Sequence, residues 1–180
     1  MPVRRSDAGL FAEVRPVLGS RVFANLGLRL ERIERQPLVT DGFSRPAFDA
    51  STVWSANPKL ALAWIARTGG DGSWLGWTKL RGDAGTGIKP PTAFEIAFTD
   101  NPALKPERSR SLDVGLEQSF LRSRVIADAT WFRNRYDDLI VAVGKSLTGA
   151  SRYRTDNIAN ASAHGVELGA TWRITPRLSA

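Results

Sequence analysis

Apolar and polar residues change places at every step along much of this chain, and that period of two is its strongest constraint. Val166, Leu168, Ala170, Trp172 and Ile174 alternate with Gly165, Glu167, Gly169, Thr171 and Arg173. Successive side chains of a strand point to opposite faces, so Asn157–Ile174 reads as a β-strand with one oily and one wet face. The pattern recurs. Val22, Ala24, Leu26, Leu28 and Leu30 share a face in Arg21–Glu31, opposite Arg21, Asn25, Gly27, Arg29 and Glu31. Leu112, Val114 and Leu116 do so in Ser109–Gln118, and Val125, Ala127, Ala129 and Trp131 in Arg124–Phe132.

Shorter or less regular strands are expected at Leu10–Arg15, Lys59–Arg67 and Trp74–Gly85, the last with unassigned faces over Trp74–Trp77. The strand beginning at Arg124 is expected to continue through Tyr136 to Val143, with a bulge near Arg133–Arg135 where parity is lost. Thr175-Pro176-Arg177 begins another turn, after which an eighth strand is expected. Short turns follow the first, third, fifth and seventh strands (Pro16–Ser20, Thr68–Ser73, Ser119–Ser123 and the turn at Thr175). Long connections follow the others, at Arg32–Asn57, Thr86–Glu107 and Gly144–Ser151. All short turns therefore fall at one end of an antiparallel up-and-down meander, the asymmetry of an outer-membrane barrel. The pattern alone leaves a soluble all-β protein open.

The chain has 180 residues, a formal net charge of +7, no Cys, one His and six Trp. Without Cys there is no disulfide framework or thiolate zinc site, and one His gives no material for imidazole clusters. The basic residues are scattered, with no basic–aromatic stripe, so nucleic acid is not an expected partner. No acid–base or nucleophile set converges, Gly-x-Ser-x-Gly and phosphate loops are absent, and no enzyme, cofactor or metal site is expected. The indole load suits a boundary between oil and water, and Trp74, Trp77, Trp131 and Trp172 are expected in an aromatic girdle. MPVRRSDAGLFAEV has basic residues with no apolar core behind them, so no export leader is expected within it.

The stretch from Thr86 to Leu116, TGIKPPTAFEIAFTDNPALKPERSRSLDVGL, resembles a motif of TonB-dependent outer-membrane receptors. Its parts are Gly87-Ile88-Lys89-Pro90-Pro91-Thr92, then Asn101, Pro102, Leu104, Lys105, Pro106 and Glu107, then Asp113-Val114-Gly115-Leu116-Glu117. Asp113 stands where the family usually has Glu. Trp131-Phe132-Arg133-Asn134 with Tyr136–Ile140, and Asn157-Ile158 with Gly165-Val166-Glu167-Leu168, resemble later family strands in the same order.

The resemblance implies a barrel of about 22 strands with a plugged lumen. It implies uptake of a ferric siderophore, haem, cobalamin or oligosaccharide, driven by the TonB complex. Residues 1–180 are then expected to be a partial barrel domain of seven to eight strands, a fragment without plug, TonB box, export signal or closing strand. Its expected partners are outer-membrane lipid and lipopolysaccharide, the rest of the barrel and plug, TonB through a missing N-terminal part, and a small nutrient ligand. Seven strands leave two oily edges, which predicts aggregation of the piece alone. Its expected location is the bacterial outer membrane.

Ligand contacts are expected from the loops Arg32–Asn57, Thr86–Asn101 and Gly144–Arg154, with Lys89, Glu95, Arg152 and Tyr153 as candidates. The motif residues Gly87, Lys89, Pro91, Asn101, Pro102, Leu104, Lys105, Pro106, Glu107, Gly115, Glu117, Asn157, Gly165 and Glu167 are expected to be architectural, the prolines stiffening a loop-to-strand entry. Gly165 and Glu167 are expected against the plug or a lumenal Arg. Asp137-Asp138 reads as a solvated strand end rather than a calcium loop, and His164 as a strand-start residue rather than an iron ligand. The rival reading is a soluble β-rich binding module; a small self-closing barrel is disfavoured by the odd strand count.

Overall fold

Every long alternating run forms a strand, and each long strand pairs antiparallel with the next long strand in sequence. The structure is a computed structural model that describes residues 4–39, 47–70, 73–97, 101, 103–144, 153–175 and 178–180. Its elements are β1 (Arg5–Val14), β2 (Val17–Leu18), β3 (Val22–Arg35), β4 (Ser51–Arg67), β5 (Leu75–Lys89), α1 (Ala93–Ala97), β6 (Glu107–Phe120), β7 (Val125–Gly144), β8 (Tyr153–Thr175) and β9 (Leu178–Ser179). One antiparallel sheet runs in the order β1-β3-β4-β5-β6-β7-β8-β9, with β2 pairing β3. The sheet is an open meander, and β9 is the start of the expected eighth strand.

Register carries the alternation from strand to strand. Leu10 faces Leu30, Leu26 faces Leu60, Trp64 faces Leu80, Leu80 faces Leu116, Val114 faces Trp131, and Trp131 faces Val166. The result is an uncharged apolar belt across all seven long strands. Among the described residues nothing covers it: Leu168 is 80% exposed and Leu10 70%. A belt of this extent facing water would be an aggregation surface. Hydrocarbon removes that penalty and also demands that every backbone group be paired within the sheet.

The strands overrun the sequence expectation at their long-loop ends. Arg32–Arg35 and Ser51–Ala56, expected as loop, extend β3 and β4, and Gly87–Lys89 extends β5. Composition misled there because the ladder continues after the belt stops, and polar side chains cost a strand nothing in water. Asn57, expected at the end of that loop, and Pro58, which neither expected segment includes, lie inside β4 opposite Arg29 and Leu28. The bulge in β7 comes later than expected: pairing is regular through Tyr136, and the register shifts on either side of Leu139. Asp138 takes a left-handed φ of 59° at that shift, a conformation that Asp tolerates better than most residues.

Candidate functional site: a rim cap and a polar wall

The buried apolar side chains among the described residues are Ile33, Leu38, Phe48, Ile96 and Leu104, and all lie at the long-loop end. Leu38 and Phe48 exchange two backbone hydrogen bonds (2.9 and 2.8 Å), pinching the connection between β3 and β4. Ile96 of α1 joins them in one cluster. Ile33, Arg35, Ser51 and Val53 contribute to a small cavity beside Pro90, Pro91, Ile96, Leu104 and Pro106. Ile33, Arg35 and Val53 sit on the polar side of their strands, so this cap folds over the polar face. The Arg35 guanidinium lies 4.9 Å from the centre of the Phe48 ring, and burial lowers its pKa.

Thr92 and Glu95 build the cap's short helix. The Glu95 N–H donates to the Thr92 hydroxyl (3.2 Å), and the Thr92 N–H donates to the Glu95 carboxylate (2.7 Å). This is a capping box, legible in the sequence as Thr-x-x-Glu but missed there because the stretch read as loop. Lys89 lies 3.4 Å from Glu95 and 3.2 Å from Glu107. Burial pulls the Lys89 ammonium down, but Glu107 and Glu95 outweigh it, and its pKa is raised. Burial likewise pushes Glu95 up, while the Thr92 bonds and Lys89 leave it lowered overall.

Asn157 fastens the cap to β8. Its Oδ1 accepts from the Lys105 N–H (2.7 Å), and its Nδ2 donates to the carbonyls of Lys105 (2.9 Å) and Asp138 (2.7 Å). A side-chain amide thus completes a backbone-like pair with residue 105 and also serves the β7 bulge. Asn101 donates to Asp156 (2.8 Å) and accepts from the Ala103 N–H (3.0 Å); the Thr155 hydroxyl donates to the Glu95 carbonyl (3.0 Å). The Ile140 N–H donates to Glu107 (3.0 Å). Lys89, Pro91, Glu95, Asn101, Leu104, Lys105, Pro106, Glu107 and Asn157 therefore meet in one assembly.

The candidates fall in different places. Lys89, expected in a loop, is the last residue of β5, and Glu95 is in α1. Tyr153 opens β8, while Arg152 and Pro102 lie outside the described residues. Gly87 is in β5 opposite Ser109. Trp77 is a correction to the expected girdle: it lines a recess of about 520 Å³ with Ile65, Thr68, Lys79 and Glu117, the last two on the polar face. The register shift between Leu75 and Thr78 explains why parity could not place it. Trp172 and Trp131 do lie on the apolar face, and His164 is exposed there opposite Arg133.

Below the cap the polar face is a wall of crossed ion pairs. Glu117 pairs with Lys79 (3.1 Å) and Arg81 (3.4 Å), and the Arg81 guanidinium donates to the Thr130 hydroxyl (2.8 Å). A Cβ on Gly115 would come within 2.8 Å of the Arg81 Nε, so any side chain there would have to shift the arginine where it crosses β6. At Gly165 a Cβ would meet the Phe132 ring at 3.0 Å. Arg81, Asp83, Asp113, Thr130, Phe132, Asn134 and Glu167 line a recess of about 320 Å³. Asp83 and Asp113 stand directly opposite each other in it. Its acids outnumber its one arginine, so it suits a basic or polyhydroxylated group.

A sequence model of the family "TonB dependent receptor-like, beta-barrel" matches residues 2–180. The chain is similar to the ferrienterobactin receptor of Escherichia coli K12, with 41% identity over 71 residues, 37% of this chain and 9% of that protein. It is 38% identical over 88 residues to the vitamin B12 transporter BtuB of Vibrio vulnificus YJ016, 48% of this chain and 14% of that protein. Among solved structures, the copper transporter OprC superposes with a TM-score of 0.73 at 21% identity, over 97% of this chain and 28% of that one. The aligned stretches thus span under a sixth of the length of the two curated relatives.

Proposed function

The chain belongs to the TonB-dependent receptor β-barrel family, and on that premise we propose that it forms one wall of an outer-membrane importer for a scarce nutrient. The family's relatives are receptors and transporters, named for ferrienterobactin and vitamin B12. In this reading residues 1–180 are a partial barrel domain that further polypeptide closes and plugs, and the chain has no catalytic role. The single observation that carries it is the pairing of a charge-free, uncovered apolar belt with a polar face of crossed ion pairs.

The mechanism follows from where those groups lie. The belt holds the wall in hydrocarbon. Lys89 and Glu95 in the cap offer first contacts to an incoming ligand, joined in this reading by Arg152 and by Tyr153, the residue that opens β8. The recess around Asp83, Asp113 and Glu167 then offers polar contacts to the ligand or to a plug segment. Energy enters from TonB through the plug, which releases the ligand inward.

The test is uptake. Outer membranes carrying this protein are assayed with labelled ferric siderophore, haem and cobalamin, in cells with and without TonB. Accumulation of one ligand only in TonB-containing cells is the expected result. A protein that is soluble and monomeric in plain buffer overturns the reading in favour of a soluble binding module.

A further inference from the structure

Beneath the cap, one cation lacks a counter-charge that its neighbours have. On β3, Arg29 pairs with Glu31 (2.8 Å) and Arg32 pairs with Glu34. Arg5 of β1 pairs with Asp7 (2.8 Å). Arg35, the last residue of β3, has no carboxylate partner among the described residues. One of its terminal nitrogens donates to the Asp49 carbonyl (3.2 Å), and the guanidinium lies over the Phe48 ring. Its Nε is buried and meets no hydrogen-bond acceptor. The other such nitrogen among the described residues, Arg81 Nε, at least has the Glu117 carboxylate 3.4 Å away.

Two further features sharpen the imbalance. Register places Arg5 directly opposite Arg35, and like charges facing each other on a sheet repel. Burial disfavours the charged form of Arg35, and a desolvated cation is costly unless something pairs with it. Both arginines line the same cavity of about 40 Å³, whose other walls are mainly apolar: Ile33, Val53, Ile96, Leu104 and three prolines. A single water needs about 10–15 Å³ of such space. The cavity therefore has room for a small ion or a few waters, and none for sulfate, phosphate or a nutrient.

We propose that this cavity is a halide site in which Arg35 holds one chloride ion. A water could accept from Nε, but it would leave the guanidinium charge unbalanced and needs two to four polar partners in a largely apolar space. A monatomic anion meets the N–H and the charge together. Guanidinium is weakly hydrated, so it suits a weakly hydrated anion, chloride or bromide rather than fluoride. Chloride here joins the ends of β3 and β4 to α1 and the proline turns, so the cap tightens on the wall as chloride rises. The site goes beyond the import reading and is the same whichever nutrient is carried.

The test uses the purified protein in detergent, in sodium chloride, bromide, fluoride or gluconate at equal ionic strength. Crystals grown in bromide are expected to show an anomalous peak beside Arg35 Nε. Hydrogen exchange at the Phe48 and Ile96 amides, both bonded within the cap, should slow about tenfold at chloride ten times its dissociation constant. Fluoride and gluconate should not slow it. R35M removes both the peak and the slowing. Since R35M also loses the contact with Phe48, V53F serves as a second variant: it fills the cavity, leaves Arg35 in place and abolishes the peak. R29Q, a change at a paired arginine of the same strand, keeps both. A water in place of the peak, equal slowing in gluconate, a chloride response surviving in R35M, or a peak surviving in V53F overturns the site.

Discussion

The belt and the cap are built from similar apolar side chains held by opposite logic. In the belt, Leu10, Leu28, Leu62, Val114 and Leu168 point away from the protein and touch little of it. Their favourable environment lies outside the chain, so the belt tolerates exchange among apolar residues and no charge. In the cap, Phe48 and Ile96 are 1% and 2% exposed, and polar clips at Thr92, Asn101, Asn157 and Glu107 hold the lid in place. There the interaction energy is internal and geometry decides. One region is specified by solvent, the other by partners.

That contrast can be broken most sharply at the belt. Val114→Arg places a guanidinium in mid-belt and is expected to cost about 2–4 kcal/mol. Urea unfolding of the protein refolded into vesicles measures it; a cost below about 0.5 kcal/mol, the usual range for a surface change, would mean the belt does not meet lipid. Val114→Leu should cost almost nothing.

Next is Asn157→Ala, which removes two hydrogen bonds to Lys105 in the cap and one to the β7 bulge. At about 1 kcal/mol each, partly recovered by water, the local loss is about 1–2 kcal/mol. Hydrogen exchange at Lys105 and α1 should accelerate roughly tenfold, while β6 and β7 in the belt stay protected. Acceleration spread evenly over the sheet would deny the cap its independence.

Gly115→Ala tests the wall between them. The new methyl must displace Arg81 from Thr130, at an expected cost of about 1 kcal/mol for a locally overpacked site. An undisturbed Arg81–Thr130 contact in a crystal structure of the variant would remove the reason given for glycine.

The smallest effect is pH dependence, and it belongs to the cap alone. Glu95 is lowered, so its contribution is present above the ordinary carboxylate range and is lost as pH falls through the lowered value. Lys89 is raised, so its contribution is present below the ordinary lysine range and is lost as pH rises through the raised value. A fluorophore at Ala93→Cys should report a flat plateau between about pH 5 and 10 and looser packing on either side. Glu95→Gln should abolish the acid limb and leave the alkaline one.

The same contrast sets what the sequence could disclose. Belt strands announce themselves because one rule, apolar at every second residue, is imposed by the medium and repeats. The cap carries no period. Its bonds join Lys105 to Asn157, Glu95 to Thr155 and Glu107 to Ile140, across separations of 52, 60 and 33 residues. Family resemblance marked Lys105, Glu107 and Asn157 as architectural without saying what they hold, while Glu95 was expected as a ligand contact and Thr155 carried no expectation. Strand ends were misjudged where the medium changes, at Arg32–Arg35 and Gly87–Lys89, because water imposes no parity. Trp77 and Asp138 sit at register shifts, where counting by twos stops working.

Asn157 also bears on how loops of this protein could be exchanged. A surface connection is ordinarily treated as a module to be transplanted between relatives. The segment from residue 90 to residue 106 is not one, since its backbone is bonded to an amide more than fifty positions downstream. A chimera that swaps this connection must carry Asp156 and Asn157 with it, or the transplanted segment arrives without its fastener.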